Sequence, residues 1–259
     1  GYLLNFEHDF MQIALTLEKI PEEIMSCKIR PTKRQVLQLC MSIYDPVGFV
    51  EFLLSKFKLI FHWIVKEEHD WDQLIDIKYF SIWKRCVLLL KQVQNIKIPR
   101  LYSINLKNAN IIQLVGFGDA GTEILCAVVY MRLLDESRNY LNHQFVCAKS
   151  YIVPLKEACK LAHLMQKVAQ CHEIKFHEFV YFTDNMAVKE WIRNDAKDPK
   201  IYVRRRLDKI KKITKAEEWH WIPTNMQPAD FGTKISSLPD MTIMNSWYNP
   251  EILLLPEEN

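Results

Sequence analysis

The chain has 259 residues and a net charge of +3, with 49% hydrophobic and 25% charged residues. This is ordinary globular usage, so collagen, coiled coil and global disorder are excluded, and the length suits two units rather than one. Seven cysteines, an odd number with no CxxC pair, argue against a disulfide framework or a zinc site and for reduced thiols in an intracellular setting.

Residues 1–30 give only a candidate strand, Phe10–Leu17, with Pro21 and Pro31 as punctuation. From Thr32 the spacing predicts a helix that Thr32 caps, that carries Val36, Leu37, Leu39 and Cys40, and that Asp45-Pro46 stops. Phe49 to about Glu67 reads as a long apolar-rich helix. Glu51, Lys56, Lys58 and His62 make it too charged to span a bilayer. Asp76 to about Val93 is another helix, with Phe80, Trp83, Val87 and Leu90 on one face. These elements make a mostly helical unit, residues 1–105, ending in the stretch Pro99–Asn110, where helical pattern gives way to strand pattern.

The second unit, residues 106–236, reads differently. Ile111–Asp119 and Ile124–Leu133 are predicted strands joined by a turn at Ala120–Glu123, and Asn142–Ile152 is a third. A helix follows from Lys156 to about Gln170, then a strand over Lys175–Phe182 and a short helix over Asn185–Arg193. A basic helix over Tyr202–Lys215, a short strand over Glu218–Ile222 and a last helix opened by Pro228 complete it. The order β-β-β-α-β-α-α-β-α predicts an α/β fold with a mixed sheet and flanking helices, followed by a tail over 237–259. Glycine is scarce, six in all, and three fall within Gly116–Gly121, so unusual backbone is expected there.

Charge is unevenly distributed. Residues 197–215 carry nine Lys/Arg against two Asp, or +7, which leaves −4 for the rest. Arg204, Arg205, Arg206, Lys209 and Lys212 lie on or beside one helix, with Val203, Leu207, Ile210 and Ile213 left for packing. A solvated basic face is one reading; binding to nucleic-acid phosphates is the preferred one. Trp191, Trp219 and Trp221 could stack on bases, but their elements are predicted to be buried, which favours core packing for all three.

Four acidic residues occupy places where a carboxylate is out of keeping with its neighbours. Asp119 ends the apolar run Leu114–Phe117, and Asp184 ends Phe179-Val180-Tyr181-Phe182. Ligands collect beyond the carboxyl ends of strands in open α/β sheets. If the two strands are neighbours, both aspartates cannot comfortably ionise without a cation between them. Glu157 lies in line with Leu161, Leu164 and Val168 on one helical stripe, so it points toward the sheet. Asp230, in Gln227-Pro228-Ala229-Asp230-Phe231, sits at a predicted helix start. Each alone reads equally well as a turn residue, cap or first-turn acid.

Their order, Asp–Glu–Asp–Asp, resembles the ribonuclease H domain of reverse transcriptases, and the wording is similar to the Pol polyproteins of Bel/Pao LTR retrotransposons. The resemblance rests on Gly116-Phe117-Gly118-Asp119-Ala120, Ala127–Arg132, Ala148-Lys149-Ser150, Val153-Pro154-Leu155 and Phe182-Thr183-Asp184-Asn185 with Trp191-Ile192-Arg193. It continues in Trp219–Thr224 with Pro228-Ala229-Asp230, upstream in Ser42–Phe49 and downstream in Trp247–Glu258. It implies a ribonuclease H-like mixed sheet preceded by a thumb/connection-like helical unit. It also implies an endonuclease that uses two Mg²⁺ ions (or Mn²⁺) to cut the RNA strand of RNA–DNA hybrids. By position, Asp119 would bridge both ions, Glu157 and Asp184 would hold the one on the leaving-group side, and Asp230 the one that activates water. The sequence departs from the family at Gly121, where a serine is expected, and at Cys126, where glycine is usual. The product-release histidine of the cellular enzymes has no counterpart in Pro223–Ala229.

An upstream polymerase domain of the same polyprotein is the expected partner, because the chain opens at Gly1 without methionine and holds no Tyr-x-Asp-Asp. The expected setting is intracellular: cytoplasm, nucleus or a virus-like particle, with no membrane. Two rivals stand beside the nuclease. One is an inactive or domesticated module that holds nucleic acid without cutting. The other is an integrase or transposase, against which the second-place glutamate and the missing zinc-binding module argue.

Overall fold

The structure is a computed structural model. It describes the chain except residues 16, 100–103, 153–156, 195–199, 235–240 and 256–259, and except the side chains of 104–105, 157–159, 202 and 241–244.

An N-terminal hairpin, β1 (Tyr2–Asn5) and β2 (Phe10–Ile13), joins β3 (Ile98–Pro99) in a three-stranded antiparallel sheet. Between them lie α1 (Glu22–Met25), α2 (Lys33–Ser42), α3 (Glu51–Lys66) and α4 (Ile77–Val93). Thr32 caps α2 as expected. Its hydroxyl accepts from Gln35 N at 3.3 Å while Gln35 Oε1 accepts from Thr32 N at 2.8 Å, a reciprocal capping box. Asp45 ends that segment and prepares the next: its carboxylate accepts from the amides of Gly48, Phe49 and Val50 at 3.0, 3.0 and 2.9 Å. These bonds hold the turn that leads into α3, whose N-cap is Val50.

The main sheet has five strands: β4 (Ile111–Ala120), β5 (Ile124–Leu134), β6 (Tyr140–Ile152), β7 (Glu178–Thr183) and β8 (Trp219–Trp221), in the order β6-β5-β4-β7-β8. β4, β5 and β6 pair antiparallel as a meander, whereas β7 joins β4, and β8 joins β7, in parallel. The helices are α5 (Glu157–Cys171), α6 (Met186–Asn194), α7 (Ile201–Lys211), α8 (Asp230–Thr233) and α9 (Met241–Tyr248). The mixed sheet and the element order match the sequence expectation. The N-terminal β1 and the C-terminal α9 were not anticipated, and the helix expected from Pro228 is a single turn.

Both faces of this sheet are covered. On one, Leu114, Val129, Tyr181 and Trp219 meet Leu161 and Met165 of α5, Ile192 of α6, and Leu207 and Ile210 of α7. On the other, Val115, Phe117, Val128, Tyr130 and Phe145 share one core with Phe52 and Phe57 of α3, Trp83 of α4 and Trp247 of α9. Each such side chain contributes about 1.5–3 kcal/mol on burial. Glu51 of α3 is buried and accepts from Ser150 N of β6 at 2.9 Å, with the Ser150 hydroxyl and Lys58 on the same oxygen. Trp247 Nε1 and Tyr248 OH both donate to the Phe49 carbonyl, at 3.1 and 2.8 Å.

Gly116 and Gly118 lie in regular strand and Gly121 just past it, and none of the three has a positive φ. The glycines serve close approach. A Cβ at Gly116 would sit 2.2 Å from Met165 Sδ, so the missing side chain lets α5 lie directly on β4.

Candidate metal centre

The register of β4 on β7 pairs Phe117 with Phe182, and the two rings stack at 5.0 Å. Two residues further on stand Asp119, near the end of β4, and Asp184, just past the end of β7, so parallel pairing alone puts both at one end of adjacent strands. Asp230 arrives from α8. Carboxylate oxygens of Asp119, Asp184 and Asp230 all lie within 4.8 Å of one another. Glu157 is the first residue of α5, and its side chain lies outside the described residues. Its expected stripe is present: Leu161 and Val168 are buried and Leu164 packs against them.

Each carboxylate has a neighbour that fixes it. Thr233 Oγ1 donates to Asp119 Oδ2. Thr224 Oγ1 donates to Asp184 Oδ2 at 3.0 Å, and Trp221 Nε1 donates to the Asp184 carbonyl at 2.9 Å. Gln227 Nε2 donates to the Gly118 carbonyl at 3.2 Å, fastening the turn before Asp230 to β4. Lys234 Nζ pairs with Asp230 Oδ2 four residues back, and its side chain is 46% exposed. Asp230 Oδ1 is buried and has no hydrogen-bond partner. Burial pushes the Asp230 carboxyl up to about 6; Asp119 adds to the rise and Lys234 opposes it.

These residues fit a hard divalent cation. The donors are all carboxylate oxygens, and the buried Oδ1 of Asp230 has no hydrogen-bond partner. Glu67, His69 and Asp76 come equally close on the helical unit, but there both carboxylates belong to exposed residues and the third group is an imidazole, whereas Asp119, Asp184 and Asp230 are half-buried or buried.

The departure at Cys126 has a local answer. A Cβ on Gly232 would lie 2.2 Å from Cys126 Sγ. The thiol where glycine is usual is thus accommodated by glycine on the facing turn, and α8 keeps its seat on β5.

The basic residues sit on α7. Arg204, Arg205, Lys209 and Lys212 are exposed, while Leu207 and Ile210 are buried. Arg206 instead lines a cavity of about 300 Å³ together with Asp119, Asp184 and Trp191. Core packing holds for Trp219, which is 1% exposed, stacks on Tyr181 at 4.9 Å and donates to Thr214 Oγ1 at 3.0 Å. It fails for Trp191 and Trp221, which are 38% and 39% exposed beside the carboxylates. Trp219 and Trp221 share one face of β8, an edge strand of three residues, and only Trp221, at its last position, is exposed. Sequence reasoning also missed Thr224, Thr233 and Lys234. Thr233 and Lys234 follow Asp230 at helical spacing, which was the available signal.

A five-stranded mixed sheet with three carboxylates gathered at adjacent strand ends defines a ribonuclease H-like protein. Residues 32–185 match the family described as the Pao retrotransposon-like RNaseH-like domain, and the chain belongs to that family. No curated protein matches it. Among solved structures it is similar to RNase H1 of the archaeon Halobacterium salinarum NRC-1, at 10% identity over 46% of this chain and 91% of that one (TM-score 0.32). It is also similar to the N-terminal RNase H domain of rv2228c from Mycobacterium tuberculosis, at 11% identity over 52% and 96% (TM-score 0.31). A third is LC11-RNase H1 in complex with an RNA/DNA hybrid, at 14% identity over 45% and 88% (TM-score 0.28). Among the described residues no helix is long and apolar enough to cross a membrane.

Proposed function

We propose that this chain is a Mg²⁺-dependent endonuclease of ribonuclease H type that cuts the RNA strand of RNA–DNA hybrids within a retrotransposon Pol polyprotein. In this reading residues 1–105 are the thumb/connection-like unit, 106–236 the nuclease and 237–259 the tail. The observation that carries it is the meeting of Asp119, Asp184 and Asp230 within 4.8 Å. Three carboxylates so close repel one another unless a cation is shared among them.

When bound, two Mg²⁺ ions stabilise both the attacking and the leaving oxygen of an in-line phosphodiester displacement. Asp119, Asp184 and Asp230, with Glu157, would hold them. Thr233 and Thr224 keep Asp119 and Asp184 in fixed rotamers, so the site need not reorganise as charge develops. The ammonium of Lys234 is compatible with metal binding because its side chain is half exposed and can move into water. The exposed cations of α7 would track hybrid phosphates, and recognition of the RNA strand would come through its 2′-OH.

The test uses a labelled hybrid with Mg²⁺. Wild type should release RNA fragments. Asp119→Asn and Asp184→Asn should each lose at least about a hundredfold in rate, in line with the several kcal/mol a catalytic metal supplies, and keep hybrid affinity measured in Ca²⁺. Equal cleavage by wild type and both variants would overturn the reading. Binding without cutting by the wild type would favour the inactive module.

A further inference from the structure

Lys56 lies in the middle of α3, between Phe52, Leu53, Phe57 and Ile60, and is 0% exposed. A buried ammonium is costly, and an apolar side chain of the same length would serve packing better. Burial pushes this one down to about 8. Its Nζ donates at 2.8 Å to the carbonyl of Phe231, 175 residues away. Phe231 follows Asp230 in α8, a helix of four residues in which the Lys234 amide closes on the Asp230 carbonyl at 2.9 Å. The same turn carries Gly232, pressed against Cys126, and Thr233, bonded to Asp119. These contacts help to seat α8, and the one from Lys56 comes from outside the five-stranded sheet.

We infer that Lys56 is a positioning residue: through the Phe231 carbonyl it holds α8 so that the Asp230 carboxylate meets Asp119 and Asp184, which makes the helical unit part of the metal centre. This rests on the nuclease reading for its consequence in catalysis, but not for the seating of α8. Lys56 meets α8 at a buried carbonyl, while Lys234 pairs with Asp230 from a side chain that is 46% exposed.

The experiment compares the full 259-residue chain with K56M and K56R. K56M removes the charge and the donor and keeps the bulk. It should melt no lower than wild type, because a buried charge has gone. In the metal-free protein the Gly232 and Lys234 amides, which close the α8 turn, should exchange with solvent about tenfold faster or more, while β5 amides stay unchanged. Hybrid affinity in Ca²⁺ should hold, and the cleavage rate should fall by about tenfold to a hundredfold, the usual result of misplacing a reacting group. K56R, which keeps a charged donor, should recover more than half of the loss. K56M with wild-type exchange and rate overturns the inference, as does K56R losing as much as K56M. Should K56M fail to fold, the wild-type chain decides. The Lys56 ammonium protons, assigned by their loss in K56R, should exchange slowly enough to be seen by NMR and should shift when Mg²⁺ is added. Protons in fast exchange, or unmoved by Mg²⁺, overturn it. A wild type that never cuts the hybrid counts against the nuclease reading alone, because the exchange comparison needs neither metal nor substrate.

Discussion

Burial raises the Asp230 carboxyl to about 6 while Lys234 pairs with it from the solvent side. A metal ion must displace both the proton and the ammonium. Mn²⁺ affinity, read by calorimetry, should therefore fall as pH drops through about 6, and Lys234→Met should raise it several-fold at pH 7.5. The same shift fixes a sign for stability without metal. A carboxyl with a raised folded value favours the fold fully below its unfolded value, about 3.9, and that benefit is lost as pH rises through about 6. Asp230→Asn should consequently raise the melting temperature more at pH 7.5 than at pH 4.5. A larger gain at the acid end would mean that the Lys234 pair outweighs the cost of burial.

At the scale of elements, α8 and α7 carry separate consequences. The α8 turn fits β5 only because Gly232 has no side chain over Cys126. Gly232→Ala should cost about 1–3 kcal/mol by overpacking, read as a drop in the urea midpoint. Cys126→Gly in the same chain should restore most of it, since the clash is with that one side chain. On α7, Arg205 and Lys209 are exposed cations with no apolar role. Reversing both charges should weaken hybrid binding and flatten its dependence on salt, because fewer phosphate counterions are then released. An unchanged salt slope would make α7 a bystander. The elements themselves follow from local rules. Thr32 and Asp45 cap, and the apolar stripes of α3, α4 and α5 bury. Two elements were illegible for stated reasons. β1 is four residues with no long alternation, and among the described residues Trp247 and Tyr248 tie α9 to Phe49, almost two hundred residues away.

Across the whole molecule, the sheet face opposite α5 is covered by the helical unit and α9, not by solvent. Val115, Val128 and Phe145 would be uncovered if residues 1–105 were removed. A fragment spanning 106–259 should bind a hydrophobic dye and melt without cooperativity, whereas the full chain should melt in one transition. Cooperative melting of the fragment would show that the ribonuclease H-like unit stands alone. The shared core, with the Lys56 contact, is the reason to expect that it does not.

Local sequence determined most of the secondary structure and the candidacy of Asp119, Asp184 and Asp230, because strand periodicity, caps and an acid closing an apolar run are short-range signals. It also determined the basic surface of α7, since charge spacing on one helix needs no partner to be read. The tertiary structure alone decided which strands are neighbours, and hence that Phe117 pairs with Phe182 and the two aspartates meet. It alone decided that Trp221 and Trp191 face the site, that Gly232 answers Cys126, and that a lysine from α3 reaches the turn beneath Asp230. Those contacts join residues tens to nearly two hundred positions apart, and no spacing along the chain encodes a meeting that only the folded sheet and its covering helices bring about.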